Sequence, residues 1–188
     1  VVRELVQSSD GELGLKFVPE MVPTTGEPLS LRIAGQQGDV SGDFDNLRVG
    51  SEKSLAYAAV DDVPLNARVR FRVVPSEGIE AFGICMRGEG EYSEGSELSV
   101  RPAEKHVQFA HPHEHGLAEK QPVRLIMKGD TGAIPPVTGM GVPFTIDLIM
   151  RDRILDVCID NRRTFVARRQ DLRGKRLFFF AKSGEVVF

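Results

Sequence analysis

Strict alternation of charged and apolar residues is the feature that most constrains the fold of this chain. In Arg68–Val73, arginines occupy every second position, and Val69, Phe71 and Val73 occupy the others. This segment cannot be an amphipathic helix, because at 3.6 residues per turn its apolar side chains would spread around the axis. As a β-strand it buries one face and exposes a row of guanidinium groups on the other. The run Ile154–Asp160 alternates in the same way and predicts a second strand.

Further β-prone runs recur along the chain, and turns rich in Gly (19 residues) and Pro (11 residues) separate them. The other expected strands are Leu13–Val18, Leu29–Ile33, Ser54–Val60, Ile79–Met86, Ser96–Arg101, Lys105–Ala110, Pro122–Met127, Phe144–Met150, Thr164–Ala167, Arg176–Lys182 and Glu185–Phe188. The turns Asp160–Arg162 and Ser183–Gly184 each predict a hairpin. No long helix is expected. Many short strands at this spacing predict an all-β fold, an antiparallel two-sheet β-sandwich, with residues 1–188 as one domain.

Charge and hydropathy exclude several classes of partner. The formal net charge is −3, which gives no general attraction to nucleic acid or to anionic lipid, and neither is expected as a partner. No apolar run approaches the roughly 20 residues of a membrane helix. The opening VVREL shows no signal-peptide pattern and predicts a fragment of a longer protein, so the compartment is left open. Cys85 and Cys158 each lie in an apolar run, where two buried thiols or a single bridge are the alternatives.

No assembled catalytic or metal site is evident in the sequence. The histidines all lie within ten positions, at His106, His111, His113 and His115, where a metal site and a solvated loop are the alternatives. The run GDVSGDFDN offers oxygen ligands for calcium, but ordinary turns have the same composition. The segment RGEGEYSEGSEL, with its four glutamates, is predicted to be a solvated hairpin loop. With no nucleotide-binding, nucleophile or Cys-x-x-Cys motif, we expect no catalytic residue, no metal and no cofactor.

Polar residues on predicted strands are the remaining functional signal. Arg70, Arg87, Glu97, Asp156 and Arg168 lie on or beside strands. Planar hydrogen-bonding groups of this kind bind sugar hydroxyls, usually beside an aromatic side chain on which the sugar stacks. Because the phenylalanines are expected in the core, only Tyr57 and Tyr92 are candidates for that aromatic platform. The alternative is a solvated sheet face with ion pairs.

Three segments together resemble a known domain. VRELVQSSDGELGLKFVPEM resembles the segment in which the catalytic propeller of glycoside hydrolase family 32 joins its C-terminal domain. FGICMRGEGEYSEGSELSVRPAEKHVQFA resembles a strand–loop–strand of that domain, and LDVCIDNRRTFVARRQDLRGKRLFFFAKSGEVVF resembles its closing hairpins. Together these segments make up a little less than half of the chain. The domain is also similar to carbohydrate-binding modules of family 66.

The resemblance implies a concanavalin-like sandwich of jelly-roll type without catalytic residues. It also implies that residues 1–22 are the entry from a missing propeller. The Trp-containing nucleophile motif, the Arg-Asp-Pro motif and the Glu-Cys motif of the propeller are absent from this chain. The resemblance implies that this chain is an accessory domain of a β-fructosidase, an enzyme that acts on sucrose, levan or inulin. The domain would stabilise the catalytic propeller and contact sugar. The alternative is an autonomous fructan-binding module. In either case the resemblance implies sugar contacts for Arg87, Glu97, Asp156 and Arg168, with Arg70 as a lesser candidate.

Overall fold

The segment in which arginines alternate with apolar residues is a strand, β6 (Asn66–Pro75), in the computed structural model. Its arginines are exposed and Val73 is fully buried, as the period of two predicts. The structure describes residues 2–9, 11–112, 139–168 and 173–188. Pro19–Met21 is a single 3-10 turn, and within these ranges no helix is long and apolar enough to cross a bilayer.

Thirteen strands account for most of the described residues. They are β1 (Glu4–Gln7), β2 (Leu13–Lys16), β3 (Ile33–Gln37), β4 (Asp39–Ser41), β5 (Arg48–Val60), β6 (Asn66–Pro75), β7 (Ala81–Glu89), β8 (Glu94–Arg101), β9 (His106–Ala110), β10 (Phe144–Arg151), β11 (Ile154–Ile159), β12 (Arg163–Arg168) and β13 (Arg176–Val187). All their pairings are antiparallel. The all-β fold expected from the sequence is confirmed.

Eleven of the strands form a connected antiparallel arrangement that divides into two sheets packed face to face, and β1 and β2 form a separate hairpin. The large sheet has the order β9–β8–β7–β13–β5, and both β3 and β4 pair with the outer edge of β5. The small sheet has the order β6–β10–β11–β12. The sheets are joined where Val74 and Pro75 of β6 pair with Val187 and Val186 of β13. This is the two-sheet antiparallel sandwich of jelly-roll type that the sequence predicts.

The main core lies between the sheets. Every second residue of the central strands points inward, such as Ile84 and Met86 of β7 and Ile146 and Leu148 of β10, which are all fully buried. Alternation also explains why three consecutive phenylalanines are tolerated in β13. Phe179 joins the main core, whereas its two neighbours point to the other face of the large sheet.

A second apolar cluster therefore covers the outer face of the large sheet. It comprises Leu55, Tyr57, Ala59, Ala81, Cys85, Tyr92, Phe178 and Phe180. The two tyrosines stack on each other with ring centroids 5.4 Å apart and an interplanar angle of 17°. Tyr57 is 5% exposed and Tyr92 1% exposed, so neither ring offers a stacking platform to a ligand. The aromatic platform considered at the sequence level is thus part of the core.

The β1–β2 hairpin packs on the outer side of the small sheet. The Leu15 N–H donates to the carbonyl of Arg162 (2.8 Å), and Arg3 forms an ion pair with Asp156. Gly14 lies so close to this turn that a Cβ there would stand 2.5 Å from the Arg162 carbonyl oxygen. Glycine is therefore required at position 14 for the hairpin to dock.

The structure corrects two of the strand predictions. The expected hairpin at Ser183–Gly184 does not exist, because β13 continues through it as one strand paired with the equally long β5. The dipeptide is instead a bulge at which the register with β5 shifts. The strand expected at Leu29–Ile33 begins only at Ile33. The hairpin at Asp160–Arg162 is present as predicted, and the predicted strand Pro122–Met127 lies outside the described residues.

Candidate functional site

A polar pocket lies where the ends of three neighbouring strands of the large sheet meet. Strand β13 is antiparallel to β5 and β7, so its first residue is beside the last residues of both. The pocket has a volume of about 380 Å³, within the range of small-molecule sites. Its lining residues are Asp61, Asp62, Gly88, Glu89, Gly90, Arg173, Gly174, Lys175 and Arg176. We call it the strand-end pocket.

Two glycines allow the backbones around this pocket to approach closely. A Cβ on Gly174 would lie 2.1 Å from the Gly88 carbonyl oxygen, and a Cβ on Gly88 would lie 2.3 Å from the ring of Phe178. The segment preceding β13 is also tied to the loop after β5, since the Val63 N–H donates to the Lys175 carbonyl (2.9 Å). The walls of the pocket are therefore held by main-chain contacts.

Irregular backbone accompanies the pocket. The register of β7 with β8 shifts between Met86 and Glu89, and that of β7 with β13 shifts between Arg176 and Phe178. Arg87 has a φ of +57°, in the left-handed region. Bulges and left-handed residues of this kind end regular pairing and redirect side chains, and they are frequent next to binding sites.

One wall is fixed by a bidentate ion pair. Arg176 donates from Nε to Oδ1 of Asp61 (2.5 Å) and from Nη2 to Oδ2 (3.1 Å). Its Nη1 donates to the Gly90 carbonyl (2.6 Å), which holds the β7–β8 turn. The hydrogen bond with Asp61 raises the pKa of Arg176 above its ordinary value. Fork-to-fork geometry restricts both side chains, so this pair orients the wall more than it stabilises the fold.

The sequence-predicted residue Arg87 lies beneath the pocket and is only 4% exposed. Its guanidinium donates to the main-chain oxygens of Pro64 (3.3 Å), Leu65 and Asp152 (3.0 Å). Burial lowers its pKa, and the nearby Asp152 carboxylate opposes that shift. Arg87 thus joins the loop after β5 to the β10–β11 turn, and its donors point to protein oxygens.

The sequence-predicted residue Glu97 supports the same region from the outer face of the large sheet. It is fully buried, and its Oε2 accepts a hydrogen bond from the Tyr92 hydroxyl (2.7 Å). Burial is the main cause that raises the pKa of Tyr92 well above its ordinary value, and the Glu97 carboxylate adds to the shift. The phenol therefore stays protonated and serves as the hydrogen-bond donor. Since Tyr92 belongs to the β7–β8 turn, Glu97 anchors the turn that carries Glu89 and Gly90.

Three charged side chains remain available inside the pocket. In the part of the chain that the structure describes, the side chains of Asp62, Glu89 and Lys175 form no hydrogen bond or ion pair. Carboxylates accept from hydroxyl groups, and an ammonium donates to them. Acidic and basic lining residues are equal in number, so the lining carries no net charge that would select an ion of one sign. A glycosidase also needs an apolar wall beside one carboxyl, and these lining residues are charged or glycine.

The other predicted residues lie on the outer face of the small sheet. By register, Arg70 is opposite Asp147, Asp156 is opposite Ile149, and Arg168 is opposite Ile154. The Asp156 carboxylate is bound by Arg3, and burial is the main cause that raises its pKa. The five candidates thus fall into two groups, with Arg87 and Glu97 beneath the strand-end pocket and the other three on this flatter face.

The two cysteines and the candidate metal ligands are the other features singled out in the sequence. Cys85 and Cys158 are both free and buried, one in each sheet. His113 and His115 lie outside the described residues. Across 2–9, 11–112, 139–168 and 173–188, no group of three or more His, Cys, Asp or Glu side chains is placed to hold a metal ion.

Sequence reasoning missed the lining residues of the strand-end pocket. Their signal is a pair of charged clusters, Asp61–Asp62 after the apolar end of β5 and the run RGKR that ends at the first residue of β13. The clusters are more than 100 residues apart in the chain. Only the antiparallel register that sets Val60 opposite Leu177 brings them together.

Comparisons with known proteins identify the fold. No family model and no curated protein matches the chain. Among solved structures, the carbohydrate binding module CBM66 from Bacillus subtilis superposes with a TM-score of 0.61 at 11% identity, over 82% of this chain and 90% of the module. An exo-inulinase from Aspergillus awamori gives 0.57 at 11% identity, over 98% of this chain. A sucrose-6-phosphate hydrolase from Lactobacillus gasseri gives 0.52 at 12%, also over 98%. The chain spans only 33% and 31% of these two enzymes. The fold expected from the resemblance is confirmed.

Proposed function

We propose that this chain is the non-catalytic β-sandwich domain of a larger glycoside hydrolase of the β-fructosidase type, and that its strand-end pocket binds a fructosyl sugar. The carrying observation is the shared fold. The chain matches almost the whole of a carbohydrate-binding module and about a third of an inulinase and of a sucrose-6-phosphate hydrolase. The remaining two thirds of such enzymes leave room for the catalytic propeller as its linked partner.

The properties of the pocket support sugar binding there. It holds carboxylates and an ammonium that have no partner among the described residues, and Arg176, Arg87 and Glu97 fix its walls. Preorganised donors and acceptors reduce the entropy lost when a polyol binds. On the flatter face of the small sheet, by contrast, Asp156 is already bound by Arg3. We therefore assign sugar contacts to Asp62, Glu89 and Lys175.

Titration calorimetry with levan, inulin, sucrose and fructose tests this assignment. We expect saturable heat with at least one of them, and a loss of about tenfold or more in affinity for Asp62→Asn or Lys175→Met. Arg70→Met and Arg168→Met are the matched controls, because they remove exposed charges from the other predicted face. If the controls lose binding and the pocket variants keep it, the sugar site lies on the small sheet. If no sugar gives heat at millimolar concentration, sugar binding is ruled out and only the supporting role is left.

The supporting role has its own surface on the β1–β2 hairpin. Leu5 and Leu15 are directly opposite each other, and Leu13 lies on the same face. They are 64%, 41% and 59% exposed, respectively. A contiguous apolar face of this kind marks an interaction site. We assign it as the contact with the linked catalytic domain.

In the full-length hydrolase, Leu5→Asp with Leu13→Asp should uncouple the two domains. We expect one calorimetric unfolding transition to split into two, while the stability of the isolated sandwich changes little. Val142→Asp is the control, because Val142 is 59% exposed and does not belong to the hairpin. A full-length double variant that still unfolds in one transition at the original temperature would show that this face is not the contact.

A further inference from the structure

One edge of the small sheet has no strand beside it in the described part of the chain. Strand β6 pairs with β10 through the eight residues from Asn66 to Val73. On its other side it pairs with β13 only at Val74 and Pro75. In an antiparallel ladder every second residue directs its N–H and C=O away from a given neighbour. On this side, the main-chain groups of the stretch 66–73 therefore have no strand partner among the described residues, and they can accept a further strand.

An apolar groove runs beside this free edge. It has a volume of about 990 Å³, and its lining includes Val69 and Phe71 of β6 and Phe179 of β13. The segment 21–31 forms its opposite wall and contributes Leu29, which is 53% exposed. A free edge next to apolar pockets is the arrangement by which folded domains bind extended peptides, since the main chain gives affinity and alternate side chains enter the pockets.

Charge on β6 defines the partner. Arg68, Arg70 and Arg72 share the outer face of the strand. Arg68 is held by Asp147 through two hydrogen bonds (2.9 and 2.6 Å), whereas the structure shows no partner for the other two among the described residues. The groove lining adds Arg151 and only one carboxylate, Glu27. A strand paired with β6 would therefore place its outward residues beside arginines and its inward residues in the apolar groove.

The same charges argue against a second copy of this chain as the occupant. Pairing two β6 edges would bring two rows of arginines together, and like charges on facing strands are destabilising. We propose that the free edge of β6 and the adjoining groove bind an extended segment of a partner protein in which acidic and apolar residues alternate. This site shares no lining residue with the strand-end pocket, so the two sites are separate surfaces.

Fluorescence anisotropy with labelled, end-capped ten-residue peptides tests the proposal on the 188-residue chain. We expect saturable binding of a peptide in which Glu alternates with Val, and at least tenfold weaker binding of the matched Lys–Val peptide. N-methylation of alternate residues blocks one edge of a peptide strand. Methylation of the set of residues whose N–H groups face β6 should abolish binding. Methylation of the alternate set, whose N–H groups point away from β6, should have little effect. Equal binding of both N-methylated peptides would overturn the strand pairing.

Variants of the exposed residues separate the two parts of the site. Arg70→Glu with Arg72→Glu should weaken the Glu–Val peptide about tenfold and improve the Lys–Val peptide, and Leu29→Asp should weaken the Glu–Val peptide. Arg168→Glu, on the far edge strand, should change neither. The proposal is wrong if the Glu–Val peptide does not bind, if charge reversal has no effect, or if inulin displaces the peptide. Concentration-dependent dimerisation that Arg70→Glu strengthens would assign the edge to a second copy instead.

Discussion

Replacing Arg87 by methionine tests how the strand-end pocket is held together. The substitution keeps an unbranched side chain of similar length and removes the guanidinium. Three main-chain oxygens, those of Pro64, Leu65 and Asp152, then lose their donor. These oxygens belong to two separate loops, so the change should loosen the pocket as well as lower the stability of the domain.

The magnitude follows from the contacts. A hydrogen bond to a charged donor contributes about 1.5–3 kcal/mol, so three of them set an upper limit of several kcal/mol. The Nε of Arg87 is buried without a partner, and this desolvation reduces the net value of the side chain. We expect Arg87→Met to lower the free energy of unfolding by about 3 kcal/mol. For a chain of this size that corresponds to a fall of roughly 6–12 °C in Tm.

Urea denaturation followed by circular dichroism measures this difference, with equal m-values as the check that both proteins unfold in two states. Arg70→Met is the matched control, because Arg70 is exposed and should change stability by less than about 0.5 kcal/mol. If Arg87→Met is no more destabilising than Arg70→Met, then Arg87 does not join the two loops. Its role as a sugar contact would then need to be considered again.

Three further changes test other parts of the structure by the same assay. Tyr92→Phe removes the donor to a buried carboxylate and should lower stability by about 2 kcal/mol, whereas Tyr57→Phe in the same cluster should lower it by less than about 0.5. Gly174→Ala should destabilise the domain and distort the pocket, because its Cβ would clash with a backbone oxygen, whereas Gly26→Ala has open space and should be neutral. The pKa of Glu80 is lowered in the folded chain, chiefly by its hydrogen bond with a lysine, so it stabilises the fold above the unfolded value of about 4.3. Glu80→Gln should therefore lower stability by less than 1 kcal/mol at pH 7, and that difference should shrink as the pH falls towards 3. A constant difference across that range would contradict the assigned shift.

Local pattern was sufficient to predict most strands but could not identify where two strands become one. Phe144–Met150 and Lys105–Ala110 were predicted to within a residue, because alternation and flanking turns act locally. Ser183–Gly184 is a good turn sequence by itself. It is extended through a bulge here because β5 offers a partner along the whole length of β13, and that contact is non-local.

For the candidate site, the difference between what local pattern predicts and what non-local contacts determine is larger. The sequence indicated that Arg87 and Glu97 lie on or beside strands, and in the structure they lie in β7 and β8. It could not show which way they point or what they meet. The Asp152 carbonyl bound by Arg87 is 65 positions away in the sequence, and Asp61 is 115 positions from Arg176. Contacts at that separation depend on the register of the completed sheet, which no local pattern contains.

The positions of the buried charges explain why a polar pocket can exist at the end of a sheet that is otherwise dominated by phenylalanine. A strand end leaves main-chain oxygens without ladder partners, and burying them unpaired is unfavourable. Arg87 supplies donors to such oxygens from below, and Arg176 supplies one to Gly90 from the side. With the backbone satisfied by arginine, the carboxylates and the ammonium on the pocket wall are left to face solvent. The strand ends can therefore present hydrogen-bonding groups to a ligand without weakening the sheet that carries them.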